Sequence, residues 1–253
     1  MKKTLLAVAM ASSLTSFGAV AADKAPEPDF SISGNFGLFS DYRFRGISQT
    51  KKTGALQGGF DLAHKSGAYL GTWASNVSGF ANGNGNGQEV DVYGGYKFPL
   101  GPVGLDVGYL AYVYPGNAPT TNIKQGTREF YLGVGYGPVS YKFSRTTGNW
   151  FGACNGSSGS IYHDLTLSHS ITEKISLSAH AGKQDVKCTD NLDYSDYRLG
   201  MSYDLGNAFS LGLAYVTTTG LSAAGKTFFT QNGNGTGTKL HDSGAVVSIT
   251  KTF

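Results

Sequence analysis

Residues Phe30 to Val77 read FSISGNFGLFSDYRFRGISQTKKTGALQGGFDLAHKSGAYLGTWASNV. The first part alternates with period two. Ile32, Phe36, Leu38, Tyr42 and Phe44 share one parity, and Ser33, Asn35, Asp41, Arg43 and Arg45 share the other, Phe39 being the exception. Successive side chains of a strand point to opposite faces, so the stretch predicts a strand with an apolar face backed by a charged one. A soluble antiparallel sheet or a membrane barrel could use such a strand. The rest of the chain discriminates between them.

The chain opens on Lys2 and Lys3, an apolar run Leu5–Met10, and small residues ending Gly18-Ala19-Val20-Ala21-Ala22. This is the pattern of a secretory signal peptide cleaved at Ala21 or Ala22. The apolar run is too short for a membrane-spanning helix and is interrupted by Ser12, Ser13, Thr15 and Ser16. Removing residues 1–22 takes Lys2 and Lys3 with it, and the formal charge falls from +3 to +1. No electrostatic case for a nucleic-acid partner remains. Asp23–Asp29, with Pro26 and Pro28, reads as a short periplasmic lead-in, and 30–253 as one domain without a linker.

Composition narrows the class. The chain has 37 Gly, 15 Tyr and 15 Phe, yet only 15% charged residues, against roughly 25% in ordinary soluble domains. Much Gly and aromatic, few charges and no helix-length apolar run are expected of a transmembrane β-barrel.

Twelve candidate strands follow, at 30–45, 54–65, 67–77, 88–98, 102–114, 127–136, 138–147, 160–169, 174–184, 194–205, 208–218 and 240–253. Most alternate: Val90, Val92, Tyr96 and Phe98 oppose Glu89, Asp91, Tyr93 and Lys97, and Tyr197, Leu199, Met201, Tyr203 and Leu205 oppose Asp196, Arg198, Ser202 and Asp204. The third is ambiguous, since either Tyr69, Trp73 and Val77 or Ala68, Leu70 and Ala74 could face outward. Tight connections (65–67, 99–101, 137–138, 171–173, 205–207) alternate with long Gly-, Asn-, Ser- and Thr-rich ones (46–53, 78–87, 115–126, 148–159, 185–193, 219–239). An up-and-down antiparallel outer-membrane barrel has this plan, with short periplasmic turns and long external loops. A water-soluble β-sandwich explains the alternation but neither the loop asymmetry nor the aromatic excess.

The last strand puts Ala245, Val247, Ile249 and Phe253 on one face, with Lys251 among them, and the chain ends on Phe253. A C-terminal aromatic on such a strand resembles the signal read by the barrel-assembly machinery. Lys251 near an interface can snorkel.

Cys154 and Cys188 fall in the fourth and fifth external loops, and an even cysteine count in an exported chain favours a disulfide between them. The five histidines, His64, His163, His169, His180 and His241, are scattered, with no metal-ligand or catalytic spacing. The runs Asn82–Gly87 and Asn232–Gly235 lack the Lys-Ser/Thr or spaced acids of phosphate or calcium loops and read as external loops. The best functional candidates are the charges on inward faces: Asp41, Arg43, Arg45, Asp61, Glu89, Asp91, Asp106, Glu129, Lys142, Asp164, Asp196 and Arg198. They would line a water-filled path, or pair and close it.

The words Ser40-Asp41-Tyr42-Arg43-Phe44-Arg45-Gly46-Ile47-Ser48-Gln49, Ala55–Asp61, Gly71–Val77 and Glu89–Tyr96 resemble the TorF-like porin family of proteobacterial outer-membrane proteins. The later strands resemble it in rhythm rather than in words. The resemblance implies a pore in a Gram-negative outer membrane, with no substrate site to transfer. The expectation is therefore a porin-like channel for small hydrophilic solutes, in contact with outer-membrane lipid, without cofactor, metal or catalytic residues. The alternative is a non-conducting surface-interaction barrel acting through its external loops. A lipid-modifying or proteolytic barrel would need a His beside a Ser or an acid at the outer rim.

Overall fold

The computed structural model describes residues 28–78, 87–115, 126–230 and 237–253. The expected signal peptide, most of the lead-in and most of the two Asn-Gly runs lie outside them. The elements are β1 (Phe30–Phe39), β2 (Arg43–Phe44), β3 (Ile47–Ser48), β4 (Ala55–His64), β5 (Ala68–Asn76), β6 (Gln88–Leu100), β7 (Val103–Val113), β8 (Thr127–Tyr136), β9 (Val139–Thr146), β10 (Ile161–Ser170), β11 (Ile175–Asp185), β12 (Tyr194–Gly206), β13 (Phe209–Thr219), α1 (Ala223–Phe228) and β14 (Gly244–Thr252). All the strands except β2 and β3 form a closed, twelve-stranded antiparallel barrel, each paired with its chain neighbour. The ring closes where β1 pairs with both β4 and β14. At the seam Gly34 and Phe253 exchange two backbone hydrogen bonds of 2.8 and 3.0 Å, and Phe253 packs edge-on to Phe60 of β4.

Ten residues rise about 33 Å, or roughly 23 Å along the normal when tilted by ~45°, which matches an apolar band of about 25 Å. Outward parity carries that band. Ile32, Leu56, Leu70, Leu165, Leu199 and Leu213 are all exposed. Phe30, Tyr96, Tyr136, Tyr203 and Phe209 ring the short-turn end, and Phe130, Tyr197 and Tyr215 lie towards the other. A continuous apolar belt between aromatic girdles suits hydrocarbon, and soluble monomers rarely expose such a patch. In β5 the exposed face is Ala68, Leu70 and Ala74, so Tyr69 and Trp73 point inward. Lys251 reaches the Asn207 carbonyl and lies over the Phe209 ring.

Two strand ends differ from the sequence expectation. β1 stops at Phe39 and not at residue 45. Ser40 still pairs with Val247, its N–H donating to the Val247 carbonyl at 2.8 Å, but the Asp41 carboxylate then accepts from Ser48 Oγ at 2.6 Å and Thr50 Oγ1 at 3.0 Å. This cross-link turns the chain into the barrel. Tyr42 and Phe44 therefore leave the apolar outer face: Tyr42 is buried in the interior, and Phe44 packs between Tyr112 and Phe151. β14 starts at Gly244 and not at 240, because the Leu240 carbonyl serves Ser48 N–H at 2.9 Å and its N–H serves Phe229.

The direction of the belt is testable on one strand. Leu199→Arg, outward at the middle of β12, is expected to cost about 2–4 kcal/mol in urea unfolding from phospholipid vesicles. Ser202→Arg, inward on the same strand, is expected to cost far less. Small, equal losses would mean that the belt faces water.

Candidate functional site in the barrel lumen

The lumen has two unlike halves. Towards the long-loop end the inward side chains are sealed: Glu89, Glu129, Gln184 and Asp196 are each exposed by 2% or less. Towards the short-turn end inward Ser33 and Ser168 are exposed, while Asp61, Lys97, Lys142 and Arg198 are half-buried.

The seal is built largely by residues 40–53. β2 and β3 form a two-stranded ribbon in which Arg43 faces Ser48 and Phe44 faces Ile47. Its two-residue turn, Arg45-Gly46, has φ of 46° and 80°, both positive as a tight hairpin turn of the primed type demands. Gly46 meets that need and also a close approach, because a Cβ there would sit 2.6 Å from the Asp196 Cβ. Arg45 holds a conformation that side chains rarely adopt.

The ribbon touches the wall nearly all the way round. Tyr42 packs on Trp73 of β5 and donates to Glu89 Oε1 of β6 at 3.0 Å. Phe44 stacks edge-on with Tyr112 of β7. Arg45 donates to Glu129 Oε2 of β8 at 2.6 Å and to Gln184 Oε1 of β11 at 3.0 Å, with its guanidinium 4.2 Å from the Tyr162 ring centre of β10. Arg43 binds Asp41 and donates to the carbonyls of Gly46, Leu240 and Asp242 at 3.1, 3.3 and 2.8 Å. Above the ribbon Trp150, Phe151, Tyr194 and Phe229 form a packed aromatic cap. Cys154 and Cys188 are joined as a disulfide within this cap region, Cα–Cα 6.5 Å, and tie connection 147–160 to connection 186–193.

Asp41, Arg43 and Arg45 therefore belong to the plug and not to a wall strand. The other candidates do lie on the wall. Glu89 also accepts from Tyr114 Oη at 3.2 Å, and Glu129 from Tyr112 Oη at 3.3 Å. One buried oxygen of Asp91, Oδ1, has no hydrogen-bond partner among the described residues. In the open half Asp61 accepts from Tyr93 Oη at 2.7 Å and Asp106 from Tyr69 Oη at 2.6 Å, with Tyr69 and Tyr131 in hydroxyl contact. These tyrosines lie against the wall because inward glycines sit beneath them. At Gly108, for example, a Cβ would strike the Tyr131 phenol and lie 2.7 Å from the Gly94 carbonyl. Lys97 lies 4.6 Å above the Tyr69 ring centre and Lys142 5.8 Å from that of Tyr131. Arg198 donates to Ser178 Oγ at 3.3 Å.

Four lumen residues escaped the list of candidates drawn from the sequence. His180 sits between Asp164 (3.1 Å) and Asp196 (3.0 Å). Tyr162 donates to Asp196 Oδ2 at 3.0 Å. Gln184 and Lys97 complete the set. All four share parity with inward residues, so alternation carries the signal for each; Tyr162 and Gln184 bear no charge and His180 has no catalytic spacing, whereas Lys97 is a charge on the same face as Glu89 and Asp91 and was legible from the sequence.

Removing one partner of a buried ion pair costs about 3–5 kcal/mol, because the other charge is left unpaired. Glu129→Ala is therefore expected to expel Arg45 without unfolding the ring. Limited trypsin digestion should cut after Arg43 or Arg45 in the variant but not in the wild type, with the barrel strands resistant in both.

No curated protein sequence matches the chain. Solved structures share its fold at low identity. The KdgM porin aligns with a TM-score of 0.54 at 6% identity, over 87% of this chain and 99% of that one. A KdgM porin in complex with disordered oligogalacturonate aligns with a TM-score of 0.52 at 6% identity, over 88% and 98%. The NanC porin gives a TM-score of 0.52 at 9% identity, over 88% and 99%. At these identities the likeness is one of fold. A family model described as a bacterial protein of unknown function, Gcw_chp, matches residues 23–253, and the chain belongs to that family.

Proposed function

We propose that this chain is an outer-membrane, porin-like channel for passive diffusion of small hydrophilic solutes, held closed on its external side by the ribbon β2–β3. The observation that carries the reading is the lumen itself. A twelve-stranded ring lies between the eight-stranded barrels that side chains can fill and the sixteen-stranded barrels that stay open. Its inward face is mainly polar, interrupted by apolar residues such as Phe39, Trp73, Leu110, Val216 and Val246; solvent reaches one half of it, and an inserted segment blocks the other. In this reading the short turns face the periplasm and the long connections face outward. Asp61, Asp106, Lys142, Asp164 and Arg198 line the path, while Glu89, Asp91, Glu129 and Asp196 form the seat of the plug.

The fold likeness to the KdgM and NanC porins and the resemblance of Ser40–Gln49 to TorF-like porins support the reading. The family match begins at residue 23, in keeping with a signal peptide that ends at Ala21 or Ala22. Phe253, its backbone paired with Gly34 at the seam, suits a role as the signal for barrel assembly. A second reading, a non-conducting barrel acting through its loops, is favoured by the packed aromatic cap over the ribbon.

Planar-bilayer recording separates the two. The refolded wild type should show rare or small conductance steps, and the Arg43→Ala/Arg45→Ala variant larger, more frequent ones with altered ion preference. A folded variant that never conducts would favour the surface-interaction reading.

A further inference from the structure

We propose that the wall site filled by Arg45 is a binding site for guanidinium-bearing solutes, with Arg45 as its resident stand-in. This rests on the channel reading and names its solute class.

The site is built by the wall and not by the ribbon. Glu129 comes from β8, Tyr162 from β10 and Gln184 from β11, and each is at most 3% exposed. Their arrangement fits a planar, forked cation. One nitrogen donates to the Glu129 carboxylate at 2.6 Å, a second to the Gln184 amide oxygen at 3.0 Å, and the flat face lies 4.2 Å from the Tyr162 ring centre. A guanidinium satisfies both acceptors and the ring at once. An ammonium, a compact and strongly hydrated point charge, lacks the fork and the flat face.

The occupant and the site belong to separate elements. Arg45 projects from a two-residue turn with φ of 46° on a ribbon of two-residue strands. Its withdrawal leaves Glu129 with Tyr112 Oη at 3.3 Å and no cation. That penalty keeps the ribbon in. A solute that brings its own guanidinium removes the penalty and so favours the state with the ribbon out, since a ligand shifts an equilibrium by its preference for one of the two states. The approach from the open half passes Asp61, Asp106 and the Asp164–His180–Asp196 cluster together with Lys97, Lys142 and Arg198, so its charges are mixed and the choice of a guanidinium rests on the geometry of the seat.

Two measurements test the proposal. Calorimetric titration of methylguanidinium into refolded Arg45→Ala should show saturable binding, weakened about ten-fold in Arg45→Ala/Glu129→Gln by loss of the charge-assisted hydrogen bond. Equal heats in the two variants would overturn the inference. Where Arg45→Ala fails to show the heat-dependent gel mobility of a folded barrel, Arg45→Gln is titrated instead, with the same outcomes. In liposome swelling with the wild type, arginine should enter several-fold faster than citrulline, its uncharged near-isostere, and faster than lysine. Glu129→Gln should abolish the difference. Equal entry of arginine and lysine, or of arginine and citrulline, would overturn the inference while leaving a channel. Entry of none of the three through the wild type would overturn the inference, and the channel reading falls with it only if the Arg43→Ala/Arg45→Ala variant also admits none.

Discussion

Hydrocarbon offers the backbone no hydrogen-bond partner, and the architecture follows from that constraint. A strand that crosses a bilayer must have both edges paired, so the sheet has to return on itself. Here it does so at one seam, where β1 meets β14 and the last residue, Phe253, is paired through its backbone with Gly34. Every other strand lies beside its chain neighbours. The alternating pattern then has a single consistent arrangement, with apolar side chains towards lipid and polar ones towards the axis.

Closure creates a second problem. Eight strands enclose a space that their own side chains fill, and twelve enclose more. In this molecule the long-loop half of the excess is taken up by chain. The ribbon β2–β3 enters the lumen with Tyr42, Phe44 and Arg45, each matched to a partner on the wall. Buried carboxylates are unfavourable without a donor. Glu89 and Glu129 find theirs on the ribbon and on Tyr112 and Tyr114. The plug and the wall thus satisfy one another, and neither is complete alone. Among the described residues the short-turn half has no such insert, and its tyrosines are folded flat over glycines, which leaves side chains such as Asp61, Lys97 and Lys142 partly exposed.

The cap above the ribbon has a different character. It is aromatic and aliphatic, held by ring contacts among Trp150, Phe151, Tyr194 and Phe229 and by the tie between Cys154 and Cys188. It meets the ribbon through Phe44, which contacts Phe151 on one side and Tyr112 on the other. Movement of the ribbon is therefore coupled to the cap through the Phe44 ring, and to the wall through the Arg45–Glu129 ion pair together with the contacts of Tyr42, Phe44 and Arg45 on β5, β6, β7, β10 and β11.

The sequence by itself determined the twelve strands of the barrel, the two kinds of connection and, for most strands, the face that each alternating side chain takes, because a period of two is a local property; the third strand stayed open in this respect, and β2 and β3 carried no signal of their own. The sequence also identified Asp61, Glu89, Asp106, Glu129, Asp164, Asp196 and Arg198 as inward charges. Only the tertiary structure decided where β1 ends. The alternation breaks at Phe39 and Ser40 but resumes through Tyr42, Phe44 and Arg45, and a single break in the period does not distinguish a strand end, here the inward turn at Ser40, from a local irregularity. That turn depends on Asp41 meeting Ser48 and Thr50, and on Arg45 reaching Glu129, 84 residues away in the chain. The partners of His180 were equally out of reach, since Asp164 and Asp196 each lie 16 residues from it and are brought together only by the register of three adjacent strands. Pattern fixes the direction of a side chain. What it meets there is set by closure of the ring, which a local pattern does not encode.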